Sequence, residues 1–335
     1  MKTLARDRAN DSAPGITGLV SIGVPVYNGE RTIRETLVSL QQQTYNNLEI
    51  VISDNASTDN TAQICKEFAA SDSRIRYYRN RYNIGVNQNF RRVFELSSGE
   101  YFMWNGADDM RPRTAVERCL DGLLRNDSAV MAHGPVLANR PGEKYLHMVT
   151  NESDISQPRA AERIRAFIKQ IKHNAILYGL YRRSAISKGT LGLYHYAQDY
   201  LICLQMCLLG SVEYVRTPMI IYQENSLVPL RDCMYPAAPI TPRNLLNAGG
   251  TRVKKCWTVL LMGSYYFTTI RGVPLMDRIG GTIALVCNFG WLYRSRLAKE
   301  VIFQLFRPLA ALIAVLRDVA HRSPLCLRVT RSLKR

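Results

Sequence analysis

The sequence predicts an α/β protein in which a mostly parallel β-sheet is flanked by helices and followed by a basic, amphipathic helical region. Three observations carry this. Short apolar, strand-like runs alternate with helix-periodic stretches from Leu19 to about Ala138. Repeated strand–helix units favour parallel pairing, with helices covering both faces of the sheet. The texture then changes after about Thr241, where 16 Lys and Arg stand against three acids, a net of +13 out of +17 for the chain of 335 residues.

Val20 to Val26 is an apolar run ending at Tyr27-Asn28-Gly29, and Ile33, Leu37 and Leu40 then recur at helical spacing. Leu48 to Ser53 is a second strand ending at Asp54. A polar turn leads to a helix with Ile64, Cys65 and Phe68 inward. Arg74 to Tyr78 is a third strand. Phe90, Val93 and Phe94 mark a third helix, closed by Gly99 at the position of a C′ glycine. Tyr101 to Trp104 is a fourth strand running into Gly106-Ala107-Asp108-Asp109. Val116, Leu120, Leu123 and Leu124 mark a fourth helix, and Ala129 to Leu137 reads as one fifth strand. Asn139 to Pro158 is polar and reads as a loop over the site. A helix carrying Ile164, Phe167, Ile168 and Ile171 comes next, then a strand-like Ile176 to Tyr181. Gln198-Asp199 opens a helix with Leu201, Leu204 and Leu208 inward, ended by Gly210. Val212 to Tyr222 is a final strand or pair of strands, with Pro218 at a break or edge.

Composition and motifs exclude several classes. Hydrophobic residues make up 47% of the chain and charged ones 21%, enough to bury a sizeable core. None of the eight cysteines forms a Cys-x-x-Cys pair, which argues against a zinc ribbon or redox motif and for a reducing compartment. Residues 1–18 are charged and lack an apolar core segment, so they read as a flexible lead-in rather than a secretion signal. No Gly-x-Gly-x-x-Gly comes after the first strand and no Walker A motif is present, which disfavours a dinucleotide-binding dehydrogenase or a P-loop enzyme.

In a parallel α/β sheet, ligands bind beyond the carboxyl ends of the strands. Tyr27, Asp54 and Asp108 all fall at such ends. The adjacent carboxylates of Asp108 and Asp109 suit a divalent cation held with a diphosphate, although a turn or helix cap uses Asp equally well. Asp54 can accept a hydrogen bond from a base or ribose, or cap the turn after it. Asp199, at the start of a helix, is placed either to take a proton from an attacking hydroxyl or to cap the helix.

The ordered set of motifs resembles the family-2 glycosyltransferases of the GT-A fold over about Leu19 to Leu227. Pro25-Val26-Tyr27-Asn28 with Glu30 resembles the family's opening Pro-x-Tyr-Asn strand end. Asp54 to Asp59 resembles its Asp-x-x-Ser-x-Asp turn, and Asn83-Ile84-Gly85 with Asn89 its Asn-x-Gly segment. Ser98-Gly99-Glu100-Tyr101 leads into the acidic motif as in the family, and Gln198-Asp199 stands where Glu-Asp is common. The resemblance implies that Pro25, Val26, Tyr27, Glu30, Asp54 and Asn83 hold the nucleotide. It implies that Asp108, with Asp109, binds a divalent cation (Mn²⁺ or Mg²⁺) on the diphosphate. It makes Asp199 the catalytic base of a single in-line displacement that inverts the anomeric carbon. Gly106 replaces the first acid of the common Asp-x-Asp-Asp pattern, and Gln198 the Glu beside the base.

The resemblance thus implies a transferase acting on a UDP-, GDP- or dTDP-sugar donor. The expected organisation is a GT-A domain over residues 19–240 and a basic helical region over 241–335. Apolar runs at Trp257 to Ile270, Ile279 to Tyr293 and Val301 to Leu316 are short for a span and rimmed by Lys and Arg. They predict helices lying on an anionic membrane surface, with the protein peripheral on the cytoplasmic face and the acceptor a membrane-linked saccharide or glycolipid. Nucleic acid is not expected as a partner, because the basic charge is interleaved with long apolar runs. Two readings compete: a catalytically inactive scaffold of the same fold, supported by Gly106, and a nucleotidyltransferase, poorly served by Tyr27 to Arg31 as a triphosphate loop.

Overall fold

The computed structural model describes residues 18–139, 142, 146–148, 155–170, 174–188, 198–223, 267, 270 and 272–289. The expected α/β architecture is present. Strands β1 (Val20–Val26), β2 (Leu48–Asp54), β3 (Ile75–Arg79) and β4 (Tyr101–Trp104) pair in parallel in the order β3-β2-β1-β4. They alternate with helices α1 (Ile33–Gln41), α2 (Thr61–Ser71) and α3 (Val86–Leu96), and α4 (Ala115–Leu124) comes after β4. The sheet extends through β8 (Leu180–Arg182), β5 (Ala129–His133) and β9 (Ser211–Tyr214) to seven strands; β8 runs antiparallel to both β4 and β5. A second sheet holds β10 (Ile220–Gln223), β6 (Val136–Asn139) and β7 (His147–Met148).

Alternation along the strands divides the interior into two clusters. Tyr101 and Met103 face α1, α2 and α4, while Phe102 and Trp104 face α3 and the later helices α5 (Ala160–Gln170) and α7 (Gln198–Leu209). Phe94, Phe102, Trp104 and Tyr181 meet edge-to-face with centroids 5.1, 4.8 and 5.5 Å apart, and the Trp104 indole donates to Phe90 O at 2.9 Å. This fixes the end of β4, from which the acidic motif departs.

Four elements differ from expectation. Asn139 to Pro158, read as a loop, holds β7 paired with β6. The run Ala129 to Leu137 is two strands in different sheets, divided at Gly134-Pro135. Proline lacks the N–H that a continuous ladder needs. Ile176 to Tyr181 is not one strand but a 3₁₀ turn (Asn174–Tyr178) leading into β8, with the short α6 (Arg183–Ser187) behind it. Gly99 is not a left-handed helix terminator; a Cβ there would lie 2.5 Å from Ser21 Oγ and 2.6 Å from Leu19 O, so its role is close approach to β1.

Part of the basic C-terminal region is described. Helix α8 (Leu275–Ala284) and the π turn Leu285–Phe289 pack on α5, and Phe267, Ile270, Ala284 and Leu285 join the cluster containing Trp104 and Ile164. The expected helices at Val301 to Leu316, and most of Trp257 to Ile270, lie outside the described residues. Among the described residues no helix is long and apolar enough to cross a membrane. All five described cysteines (Cys65, Cys119, Cys203, Cys207 and Cys287) are free thiols.

Candidate active site

The loops after β1, β2 and β4 meet because the strands end side by side, with Val26 opposite Asp54 and Gly23 opposite Trp104. The first two loops are fastened to each other. Asn28 N–H donates to Ser57 Oγ (2.9 Å), Gly29 N–H to Thr61 Oγ1 (2.8 Å) and Glu30 N–H to Asp59 (3.1 Å). In return, Asn28 Oδ1 accepts from Thr58 N–H and Glu30 Oε2 from Asn60 N–H. Asn28 and Ala56 hold positive φ of 51° and 62° at the tips of these turns.

This framework places the expected nucleotide residues. Tyr27 is half-buried and Glu30 exposed at the mouth of the loops. Pro25 and Val26 are buried in β1, and Val26 O accepts Asn55 N–H. Asp54 is fully buried: one oxygen accepts from Ser57 N–H (2.8 Å), the other from the Tyr77 hydroxyl (2.8 Å), with Arg79 at 3.5 Å. Its carboxylate therefore builds the turn. Asn83 Oδ1 accepts from Gly85 N–H and from Asn55, and Asn55 Oδ1 accepts from Asn80 and Ile84 N–H. These amides link the β2 loop to the start of α3.

The acidic motif is held from three sides. Thr32, at the N-cap of α1, and Thr36 within it donate to Ala107 O at 2.9 and 3.0 Å. Asn105 Nδ2 donates to Gly106 O and Asp109 O. Met110 bridges Ile221 on β10, and Gln223 N–H points to Asp109 Oδ1 at 3.4 Å. A Cβ on Gly106 would sit 2.9 Å from Asp108 Oδ1 and 2.5 Å from Asp109 Oδ2. Both carboxylates thus fold into the space that a side chain at 106 would take. Asp108 is half-buried and Asp109 buried. Burial, then the neighbouring Asp108, pushes the Asp109 carboxyl up to about 7, while Gln223 N–H and Arg111 pull the other way.

Sequence reasoning missed two residues here. Arg111 is buried, and its guanidinium donates to Trp104 O (2.6 Å), Tyr178 O (3.0 Å) and Met219 O (3.0 Å), tying β4, the 3₁₀ turn and the approach to β10. Burial lowers its pKa to about 10, so it stays charged. Tyr178 is the second. Burial, then Asp109, Asp108, Asp199 and Tyr222, holds its phenol well above the usual range. Asp199, 90 residues beyond Asp109 and in the first turn of α7, is thereby brought within electrostatic reach of the same side chain as the acidic pair. The segment 189–197 before it lies outside the described residues.

Among the described residues no group of three or more His, Cys, Asp or Glu side chains forms a closed metal cage. The paired carboxylates beside Gly106 offer the kind of oxygen donors a divalent cation takes.

Comparison with known proteins agrees with the fold and places the chain in a family. The family model described as "Glycosyl transferase family 2" matches residues 21–190, half of the chain. A relative from Escherichia coli, "UDP-Glc:alpha-D-GlcNAc-diphosphoundecaprenol beta-1,3-glucosyltransferase WfgD", is 34% identical over 113 residues, covering 34% of this chain and 44% of that protein. The chain spans between a third and two fifths of the length of the first curated relatives it matches. Among solved structures, S. aureus TarS 1-349 in complex with UDP-GlcNAc superposes with a TM-score of 0.57 at 14% identity, covering 81% of this chain and 72% of that one. The mannosyltransferase PcManGT from Pyrobaculum calidifontis, in complex with GDP-Man and Mn²⁺, gives 0.50 at 16% identity, covering 96% and 86%. These structures share the fold. With half of its length matched by the family model, the chain belongs to glycosyl transferase family 2.

Proposed function

We propose that this protein moves a sugar from a nucleotide-diphosphate sugar to a hydroxyl of a membrane-linked saccharide or glycolipid, with inversion at the anomeric carbon. The observation that carries the reading is the meeting of the fastened β1 and β2 loops and the acidic motif beyond the carboxyl ends of the strands, with Asp199 in the first turn of α7 within electrostatic reach of the same Tyr178. The fastened β1 and β2 loops with Tyr27 and Glu30, and Asn83 from the segment before α3, hold the nucleotide. Pro25, Val26 and Asp54 act through the backbone they fix. Asp108, with Asp109 behind it, holds a divalent cation, which when bound supplies charge to the departing diphosphate. Asp199 takes the proton of the acceptor hydroxyl as its oxygen bonds to the anomeric carbon and the bond to the phosphate oxygen breaks. A single displacement needs one base and no covalent intermediate. The named activity of WfgD on a lipid-linked sugar supports the class of acceptor, and the sugar-nucleotide complexes of TarS and PcManGT support the class of donor.

The test is release of nucleoside diphosphate from a panel of UDP-, GDP- and dTDP-sugars, with Mn²⁺ or Mg²⁺ and a membrane-lipid extract. Turnover with one donor, lost in Asp108→Ala and lowered at least about 100-fold in Asp199→Asn, is expected. Nucleotide-sugar binding without turnover under every condition would favour the inactive scaffold. No binding at all would remove the reading.

A further inference from the structure

Helix α8 carries its apolar residues on the wrong side for a helix facing water. Its packed face is lined by Gly281 and Ala284; a Cβ on Gly281 would lie 2.9 Å from Leu208 Cδ1 and 3.0 Å from Ile164 Cδ1. The face turned outward should be polar. Instead it presents Leu275, Met276, Ile279, Ile283 and, one turn on, Val286, with 60, 75, 43, 54 and 45% of their surfaces exposed. At 100° per residue the four within α8 fall within one stripe about 100° wide, and Val286 continues the exposed apolar row in the π turn beyond it. Asp277, the only acid of α8, lies outside that stripe and within electrostatic reach of Arg163 on α5. The stripe therefore holds no negative charge. In the sequence, Arg271 precedes α8 and Arg294, Arg296 and Lys299 come after it, within a region of net charge +13.

We infer that this stripe is the surface by which the protein sits on an anionic lipid bilayer. A row of large apolar side chains in a strongly basic stretch of sequence matches the boundary between acyl chains and negatively charged headgroups. A soluble protein partner has no need of a charge excess spread over the whole surrounding region. The inference deepens the membrane-linked acceptor proposed above and takes its purpose from that reading, but it is tested without turnover.

The experiment is flotation of the full-length protein with vesicles of phosphatidylglycerol and phosphatidylcholine, against phosphatidylcholine alone. Wild type is compared with Ile279→Glu/Ile283→Glu and with the milder Ile279→Ser/Ile283→Ser. Melting temperature and solution mass are recorded beside each. Wild type should float with the anionic vesicles, and the Glu variant should lose about tenfold or more in partition, the Ser variant less, with melting and mass unchanged. Undiminished binding of both variants would overturn the inference, as would a wild type that does not bind. A fall in melting temperature or in mass would also overturn it, because the stripe would then be covered by another part of this chain or by a second copy. Donor turnover in detergent separates the two ideas: vesicle binding without turnover leaves the docking surface standing and removes the enzymatic reading, and turnover without vesicle binding does the reverse.

Discussion

Raising the pH should loosen the metal-free protein through one side chain, Asp109. Burial and the adjacent Asp108 push its carboxyl up to about 7 from an ordinary 3.8. A carboxyl raised in this way binds its proton more tightly folded than unfolded. Its contribution is complete below the unfolded value and is lost as pH rises through the folded one, so the window runs from about 4 to about 7. About three pH units at about 1.4 kcal/mol each make a loss on the order of 4 kcal/mol. Asp109→Asn keeps the shape and removes the charge. Without metal, that variant should match wild type near pH 4 and exceed it at pH 8 by about 2–4 kcal/mol in urea unfolding. Taking the difference between the two proteins cancels other groups that titrate in the same range, such as the buried His133, held down to about 4. At pH 8, Mn²⁺ or Mg²⁺ should raise the melting temperature of wild type more than that of the variant, because binding neutralises the buried charge. An Asp109→Asn protein less stable than wild type at pH 8, or a difference independent of pH, would refute the reasoning.

The geometry leads to three further outcomes. Gly106→Ala puts a methyl within 3 Å of both acidic side chains, so it should cut donor turnover about 100-fold while changing melting temperature little, as read by initial rates and calorimetry. Arg111→Met leaves three backbone carbonyls without donors, and should cost about 3–5 kcal/mol in denaturant unfolding as well as most of the activity. Ala56→Val forces a β-branched residue into φ 62° and should destabilise by about 1–3 kcal/mol, whereas Ala56→Gly should leave stability within about 1 kcal/mol of wild type.

The first half of the fold was legible because its information is local. Each of β1, β2 and β4 is a short apolar run whose next residues are polar, and each helix between them repeats its apolar residues at helical spacing. Asp54, Asp108 and Asp109 could be singled out for the same reason: an acid directly after a buried strand needs an explanation. The features that could not be read depend on distant partners. Arg111, with proline next in a polar turn, looks like a surface residue, and only the fold brings Met219 and Tyr178 to it. Gln223 reaches Asp109 through a backbone N–H, which carries no signature in the residue type. Asp54 was visible, but not that Tyr77 and Ser57 occupy both its oxygens. The Ile176 to Tyr181 run misled because apolar content alone does not separate a 3₁₀ turn from a strand.

The reversed strand β8 has a consequence for how such a site can be assembled. In a purely parallel sheet, every strand delivers to the catalytic edge only the residues C-terminal to it. A strand running the other way delivers the residues N-terminal to it. With Tyr181 opposite Phe102, the start of β8 stands at the end of β4, and Tyr178 arrives beside the acidic pair from upstream. The chain on either side of that strand is therefore under different demands. Upstream sequence meets the acidic motif, and downstream sequence returns to the far edge to start α6. On the proposed reading, the residues before Leu180 and the loops assigned to the donor are therefore carried by strands of opposite polarity, joined through Arg111.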